Sequence, residues 1–231
     1  MNFKKLIAAV LSTILIIATL SSCGTTPAST PEEATEQFLK FFAAHKYNKA
    51  FDYVEDYDGF SFDDRNSSDT KKIVRAVSDS MSYSIVGRTE SDNPVEVVAK
   101  ITTVDLRAIY KTCTEALVKD MFKDTLSGTA IDYEAFKSNL NDAVIEAANA
   151  ENAPVCTTDV TFKLNSVDDK WYIVLDDHTF DLVCGYLNSA NEWLYNRMVT
   201  EGISPEDSVE SEVVESEAVE DTTQSQEVAA A

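Results

Sequence analysis

The chain has 231 residues, 44% of them hydrophobic and 26% charged, the proportions of one globular domain or slightly more. Its 19 Lys and Arg stand against 40 Asp and Glu, a net charge of −21. That excludes a nucleic-acid binder of the ordinary basic kind, because there is no cationic footprint to neutralise phosphates. Six Gly and five Pro exclude a collagen-like or linker-dominated chain, and 11 Phe, nine Tyr and two Trp can fill a sizeable core.

Residues 1–22 read as a leader. Lys4 and Lys5 form a positive start, and Leu6 to Leu20 is an apolar run interrupted by Ser12, Thr13 and Thr19. It is short for a permanent spanning helix. The run ends in Leu20-Ser21-Ser22-Cys23-Gly24, which resembles the lipobox of bacterial lipoproteins. The resemblance implies diacylglycerol on the Cys23 thiol, cleavage before Cys23, and a mature protein held on the outer side of the membrane by lipid. Residues 23–30, small and uncharged, then form a tether.

Residues 31–200 read as one α+β domain. Thr30-Pro31-Glu32-Glu33 carries a cap, a first-turn proline and a capping box, and Ala34, Phe38, Phe41 and Phe42 recur at helical spacing. A short aromatic helix over Ala50, Phe51 and Val54 follows. After a polar loop from Asp56 to Asp69, Ser68 is placed to cap a third helix with Ile73, Val74, Val77 and Met81 inward. The period then falls to 2. Tyr83 to Arg88 and Val95 to Thr103 form a hairpin about a turn at Glu90–Pro94. Asp105 and Asp132 open two helices, with Leu106, Ile109, Cys113, Leu117 and Met121 inward on the first and Tyr133, Phe136, Leu140, Val144 and Ala147 on the second. Thr158, Val160, Phe162 and Leu164 share one face of a third strand. Asn165 to Lys170 is a loop, and Trp171 to Leu175 is the return strand. One helix from Thr179 buries Phe180, Val183, Leu187, Ala190, Leu194 and Met198. Two hairpins separated by helices predict an antiparallel sheet packed by helices on one face.

From Glu201 to Ala231 there are ten acidic residues and no basic ones, a composition predicted to stay disordered. Setting aside the tail's ten acids and the leader's two lysines leaves −13 on residues 31–200.

The opening TPEEATEQFLKFFAAHKYNKAFDYV, the strand VEVVAKITTVDL and the hairpin DVTFKLNSVDDKWYIVLDDHTFDLVCGYL resemble the NTF2-like (cystatin-like) superfamily, over roughly residues 31–100 and 155–190. The resemblance implies a cone between the first helix and a curved sheet, with the helical pair at 105–150 as an insertion. It also implies that Phe38, Phe41, Phe42, Phe51, Tyr53, Phe162, Trp171 and Tyr172 come from the elements lining that cone, most as core and a few against a small apolar ligand. Trp171 is expected to be mostly buried and structural.

The sequence carries few groups for chemistry. His178 follows Asp176 and Asp177, and a carboxylate beside an imidazole can tune a general base. The plainer expectation is that Asp177 or Thr179 caps the last helix and His178 faces water. His45 is placed in an exposed loop. Asp56, Asp58, Asp63 and Asp64 make the densest acidic loop, but the closing Glu of a calcium loop is missing. No metal-ligand spacing, glycine-rich phosphate cradle or nucleophile elbow occurs. Cys113, Cys156 and Cys184 read as buried apolar thiols, with at most one disulfide among them. The expectation is a lipoprotein without enzymatic activity, cofactor or metal. It would bind the membrane through Cys23 and take a small apolar ligand or a protein partner. The enzyme alternative is an NTF2-like lyase, isomerase or hydrolase using His178 with Asp176 or Asp177.

Overall fold

The computed structural model describes residues 28–55, 62, 66–92, 94–126 and 132–200, and of residues 90–92, 120–126 and 133 the backbone. The leader, Cys23, most of the 56–65 loop and the acidic tail lie outside the described residues. Among the described residues, no helix is long and apolar enough to cross a membrane.

The elements in chain order are α1 (Pro31–Ala43), α2 (Tyr47–Phe51), α3 (Ser68–Ser80), β1 (Ser82–Asp92), β2 (Val95–Val104), α4 (Leu106–Leu126), α5 (Tyr133–Ala148), β3 (Val155–Val167), β4 (Lys170–Val174), α6 (Asp177–Val183) and α7 (Leu187–Thr200). The four strands make one antiparallel sheet in the order β1-β2-β3-β4. The α+β class and the antiparallel sheet are therefore as the sequence predicts.

Side chains cap the helix starts, that of α2 excepted. Thr30 Oγ1 accepts from the Glu33 N–H at 3.1 Å. The carboxylate of Glu33 reaches back one residue further than a capping box, accepting from both N–H and Oγ of Ser29 at 2.9 Å. Ser67, not Ser68, caps α3 by accepting from Thr70 N–H. Asp132 caps α5 through the Ala135 N–H at 3.0 Å. The β3–β4 loop is tighter than expected. Asp168 and Asp169 have φ of 51° and 60°, the paired left-handed residues of a two-residue hairpin whose twist matches the strands. The first hairpin is tighter too, since β1 runs on to Asp92, which pairs with Val95 at the start of β2.

One face of the sheet is buried. Val97, Ala99, Ile101, Val160, Phe162, Leu164 and Ile173 are at most 2% exposed, and their cross-strand partners fall on the same face by register. α1, α3 and α6 cover that face. The other face is polar, with the Thr102 and Thr157 hydroxyls bonded at 2.8 Å and Lys100 Nζ 3.7 Å from Asp159. Phe38 sits at the centre of the core, its ring centroid 6.0 Å from both Phe42 and Phe162. Burial of each such ring contributes roughly 1.5–3 kcal/mol.

The outer edge of β4 is occupied. The Ile173 N–H donates to the Tyr53 carbonyl (2.8 Å), the Glu55 N–H donates to the Ile173 carbonyl (2.9 Å), and the Trp171 N–H donates to the Ala28 carbonyl (3.3 Å). Covering an edge in this way removes a template for pairing with other chains. Val54 thus bridges to the sheet rather than extending α2, and Ala28, 2% exposed, already belongs to the domain. Ala28, assigned to the tether from the sequence, thus contacts the sheet margin.

The predicted single last helix is two. Gly185 and Tyr186 have φ of 63° and 65°, a left-handed pair that ends α6 and redirects the chain. The new direction is fixed by Asp181, 6% exposed, whose Oδ1 accepts from Asn188 N–H and Ser189 N–H at the start of α7. The helical pair α4–α5 is integrated with the rest: α5 packs on α3, where Asn141 Nδ2 donates to Asp69 at 3.2 Å, and α4 packs on α7.

Candidate functional site

α4 and α7 begin at one corner of the molecule. The Leu106 N–H donates to the Gly185 carbonyl at 3.0 Å. The Arg107 guanidinium stacks 3.4 Å above the Tyr186 ring, held in place by paired hydrogen bonds of 3.1 and 3.2 Å to Asp105. That bonding holds the guanidinium's pKa above its ordinary value. The Tyr186 hydroxyl is anchored in turn to Thr158 at 2.8 Å. From this corner the two helices run side by side in the same direction.

Between them lies a cavity of about 300 Å³ lined by Thr114, Glu115, Val118 and Lys119 of α4 and Trp193 and Arg197 of α7. The spacing explains the lining. Thr114 and Val118, Glu115 and Lys119, and Trp193 and Arg197 are each four residues apart, hence stacked one turn above another on their helix. With a rise of about 1.5 Å per residue, the order outward from the shared corner is Trp193, Glu115, Arg197, Lys119. Counted from the two helix starts, Glu115 and Arg197 stand at nearly the same level, between Trp193 and Lys119.

Thr114 is the unusual member. It is 2% exposed, and its hydroxyl is buried without a hydrogen-bond partner among the described residues. Three other helical threonines donate to the carbonyl four residues back: Thr35 to Pro31 (3.0 Å), Thr112 to Ala108 (2.9 Å) and Thr200 to Asn196 (2.8 Å). Thr114 makes no such bond. A buried unpaired hydroxyl costs about 1–3 kcal/mol.

The residues singled out from the sequence fall elsewhere. His178, Asp176 and Asp177 are all exposed at the start of α6. The cap of that helix is Asp176, neither Asp177 nor Thr179: its carboxylate accepts from Thr179 N–H at 2.7 Å. Hydrogen bonding from Thr179 holds the Asp176 carboxyl below its ordinary pKa. His45 is not free in solvent. It is half-buried in a left-handed conformation (φ 58°) with Nε2 2.9 Å from Asp79 Oδ1.

The aromatic residues offered as a cone lining are packed on one another. Phe38, Phe42 and Phe162 are fully buried, Phe51 and Phe180 close over them at 6.0 Å, and Phe41 stacks on Tyr53 at 6.1 Å. Trp171 is largely buried against the core from the short strand β4 at the margin of the sheet, with part of its surface left in water. Cys113, Cys156 and Cys184 are free thiols. Cys184 is fully buried as expected, whereas Cys113 and Cys156 are half-buried. Among the described residues no cluster of three His, Cys, Asp or Glu is placed to hold a metal ion. The acidic loop from Asp56 to Asp64 falls outside the described residues.

Sequence reasoning missed this cavity. Glu115, Lys119, Trp193 and Arg197 look like the solvated faces of two amphipathic helices. Only the parallel pairing of α4 with α7, set by the break at Gly185, brings them together.

No protein-family model and no curated protein matches the chain. Among solved structures, the chain is similar to the crystal structure of a candidate lipoprotein, ycdA, from Bacillus subtilis, at 16% identity and a TM-score of 0.40. The match covers 79% of this chain and 55% of that one, so the chain spans about half the length of the solved structure it matches.

Proposed function

We propose that this protein is an extracytoplasmic lipoprotein, anchored through lipidated Cys23, whose α+β domain is a non-enzymatic ligand-binding or protein-interaction module of NTF2-like plan. The observation that carries the anchor is the frame Leu20-Ser21-Ser22-Cys23-Gly24 at the end of a short apolar run behind two lysines. Its chemistry is specific: the transferase needs the thiol, and the peptidase needs small residues before it. Two acyl chains on one residue give stable anchoring, since each buried CH₂ contributes about 0.8 kcal/mol.

The binding role is supported by the mixed-charge cavity between α4 and α7, which brings a few polar groups to an aromatic wall. The NTF2-like plan is supported by the helix–sheet pattern and by the sheet's single covered face.

Growth of bacteria producing the full chain on an alkyne-tagged palmitate tests the anchor. Label should appear on the wild-type protein and be absent from Cys23→Ala, which should leave the membrane fraction. Equal membrane retention of both without label would overturn the lipoprotein assignment.

A further inference from the structure

We infer that the outer face of the β3–β4 ribbon is a lipid-contact surface, resting on the anionic headgroups of the membrane that holds the Cys23 anchor; this depends on the lipoprotein reading above. The first argument is composition. Three successive rungs of the ribbon share one face: Lys163 opposite Val174, Asn165 opposite Tyr172, and Val167 opposite Lys170. By alternation it is the face away from buried Phe162, Leu164 and Ile173, opposite the one that α1, α3 and α6 cover. The strip carries two lysines, a half-buried tyrosine, valines that are 45% and 36% exposed, and no acid. The domain around it has a net charge of −13.

Acids stand at the borders of the strip. The Glu55 carboxylate reaches it and accepts from Asn165 Nδ2 at 2.8 Å. Glu96 of β2 lies opposite Lys163, Asp176 feels the Lys163 charge from beyond β4, and Asp168 and Asp169 form the turn. With these neighbours the two lysines are too few to recruit a free domain to an anionic surface.

The second argument is position, and it supplies what the charges lack. The Trp171 N–H, on the outer edge of the same ribbon, donates to the Ala28 carbonyl. Ala28 is five positions after Cys23. A lipid on Cys23 therefore holds this margin near the headgroups, and not the β1 edge at the opposite end of the sheet. Contacts too weak to bind a free domain can orient a tethered one, because the tether sets a high effective concentration.

The third argument is the match of side chains to depth. A lysine lays its stem along apolar surface and puts its ammonium among phosphates. A tyrosine has an apolar ring and a polar tip, and is at home between water and hydrocarbon. Small apolar side chains beside them reach the acyl boundary.

The test places one indole at a time on the full lipidated chain, with Trp171→Phe and Trp193→Phe removing the native ones. Val174→Trp puts the indole on the strip. Tyr195→Trp puts it on α7, at a side chain that is 53% exposed on a helix packed against α4 and α6. Each protein is reconstituted into vesicles of phosphatidylglycerol and brominated phosphatidylcholine. Bromine at the acyl boundary should quench the Val174→Trp protein roughly twofold more than the Tyr195→Trp protein. Adding Lys163→Glu and Lys170→Glu should bring the Val174→Trp quenching down to the Tyr195→Trp level, with the melting curve kept. Replacing phosphatidylglycerol by phosphatidylcholine should lower it without any further variant.

Equal quenching at the two positions overturns the inference, and so does quenching that ignores both charge reversal and lipid charge. Protection of the Val174→Trp indole from acrylamide without bromine quenching also overturns it, since a protein, such as a second copy, would then cover the strip. Flotation with the vesicles keeps the two readings apart. A chain that floats without preferential quenching refutes this surface and leaves the anchor standing. A chain that neither floats nor takes palmitate label overturns both.

Discussion

The carboxylate of Asp181, near the end of α6, is the N-terminal cap of α7: Oδ1 accepts from the Asn188 backbone N–H at 2.6 Å, and Oδ2 accepts from the Ser189 hydroxyl. One buried side chain therefore sets the direction of the helix that forms half of the cavity. Asp181→Ala should lose about 2–3 kcal/mol, combining a lost cap with amides left buried and unpaired. Asp181→Asn, which keeps an acceptor for one amide, should fall between. Urea unfolding followed by circular dichroism measures both, and an alanine variant as stable as wild type would refute the cap's importance.

Gly185 tests the same corner by steric means. It has φ of 63°, and a Cβ there would lie 2.5 Å from the Val104 carbonyl oxygen. Gly185→Ala should cost more than the roughly 1 kcal/mol of a left-handed alanine alone, because the backbone of β2 must also move. A thermal midpoint lowered by several degrees is the expected reading.

Asp176 gives a pH dependence. Its carboxyl is held below its ordinary 3.8 by hydrogen bonding from Thr179. A depressed carboxyl pKa contributes stability that is fully present above the unfolded value and is lost as pH falls through the folded value. Asp176→Ala should be less stable than wild type by about 1 kcal/mol at neutral pH, the usual worth of a cap. The gap between the two should close as pH drops below 3.8, because protonation removes from the wild type what the mutation has already removed. Urea titrations at neutral pH and at about pH 3 decide it, and a gap independent of pH would contradict the assignment.

The thiols should differ in reactivity. Burial pushes the Cys184 thiol far up, while Cys113 and Cys156 are raised less and are half-buried. Alkylation needs the thiolate and access to it. Iodoacetamide on the folded protein should label Cys113 and Cys156 slowly and spare Cys184 until urea is added, as read by peptide mass spectrometry.

Trp171→Ala should cost about 1–2 kcal/mol. That is less than the 3–5 kcal/mol of a fully buried aromatic, because part of its largely buried surface stays in water in the native state as well. Differential scanning calorimetry measures the shift.

Local signals carried most of the fold. The caps at Thr30, Asp105 and Asp132 and the alternation on β2 and β3 appear at or next to the positions the sequence indicates. What local pattern could not show was long-range geometry. The stripe Phe180, Val183, Leu187, Ala190 keeps a nearly helical period straight across the break at Gly185, since both helices bury the same side. The break depends on two left-handed residues, one of them Tyr186, a residue type that rarely adopts that conformation. Likewise Thr114 reads as a neutral polar interruption of an apolar stripe; its burial depends on α7, which the sequence places far away. The cavity was invisible for the same reason, being a property of a helix pair and not of either helix.

The bond between Ala28 and Trp171 has a mechanical consequence. With the lipid on Cys23 as proposed, only four residues separate it from a position fixed to the margin of the sheet. Even fully stretched, such a leash is about 17 Å long. The domain would ride close against the headgroups with its β4 side turned toward them. Replacing β4 contacts to Ala28 would lengthen the leash and widen the distance from the membrane that the domain can sample.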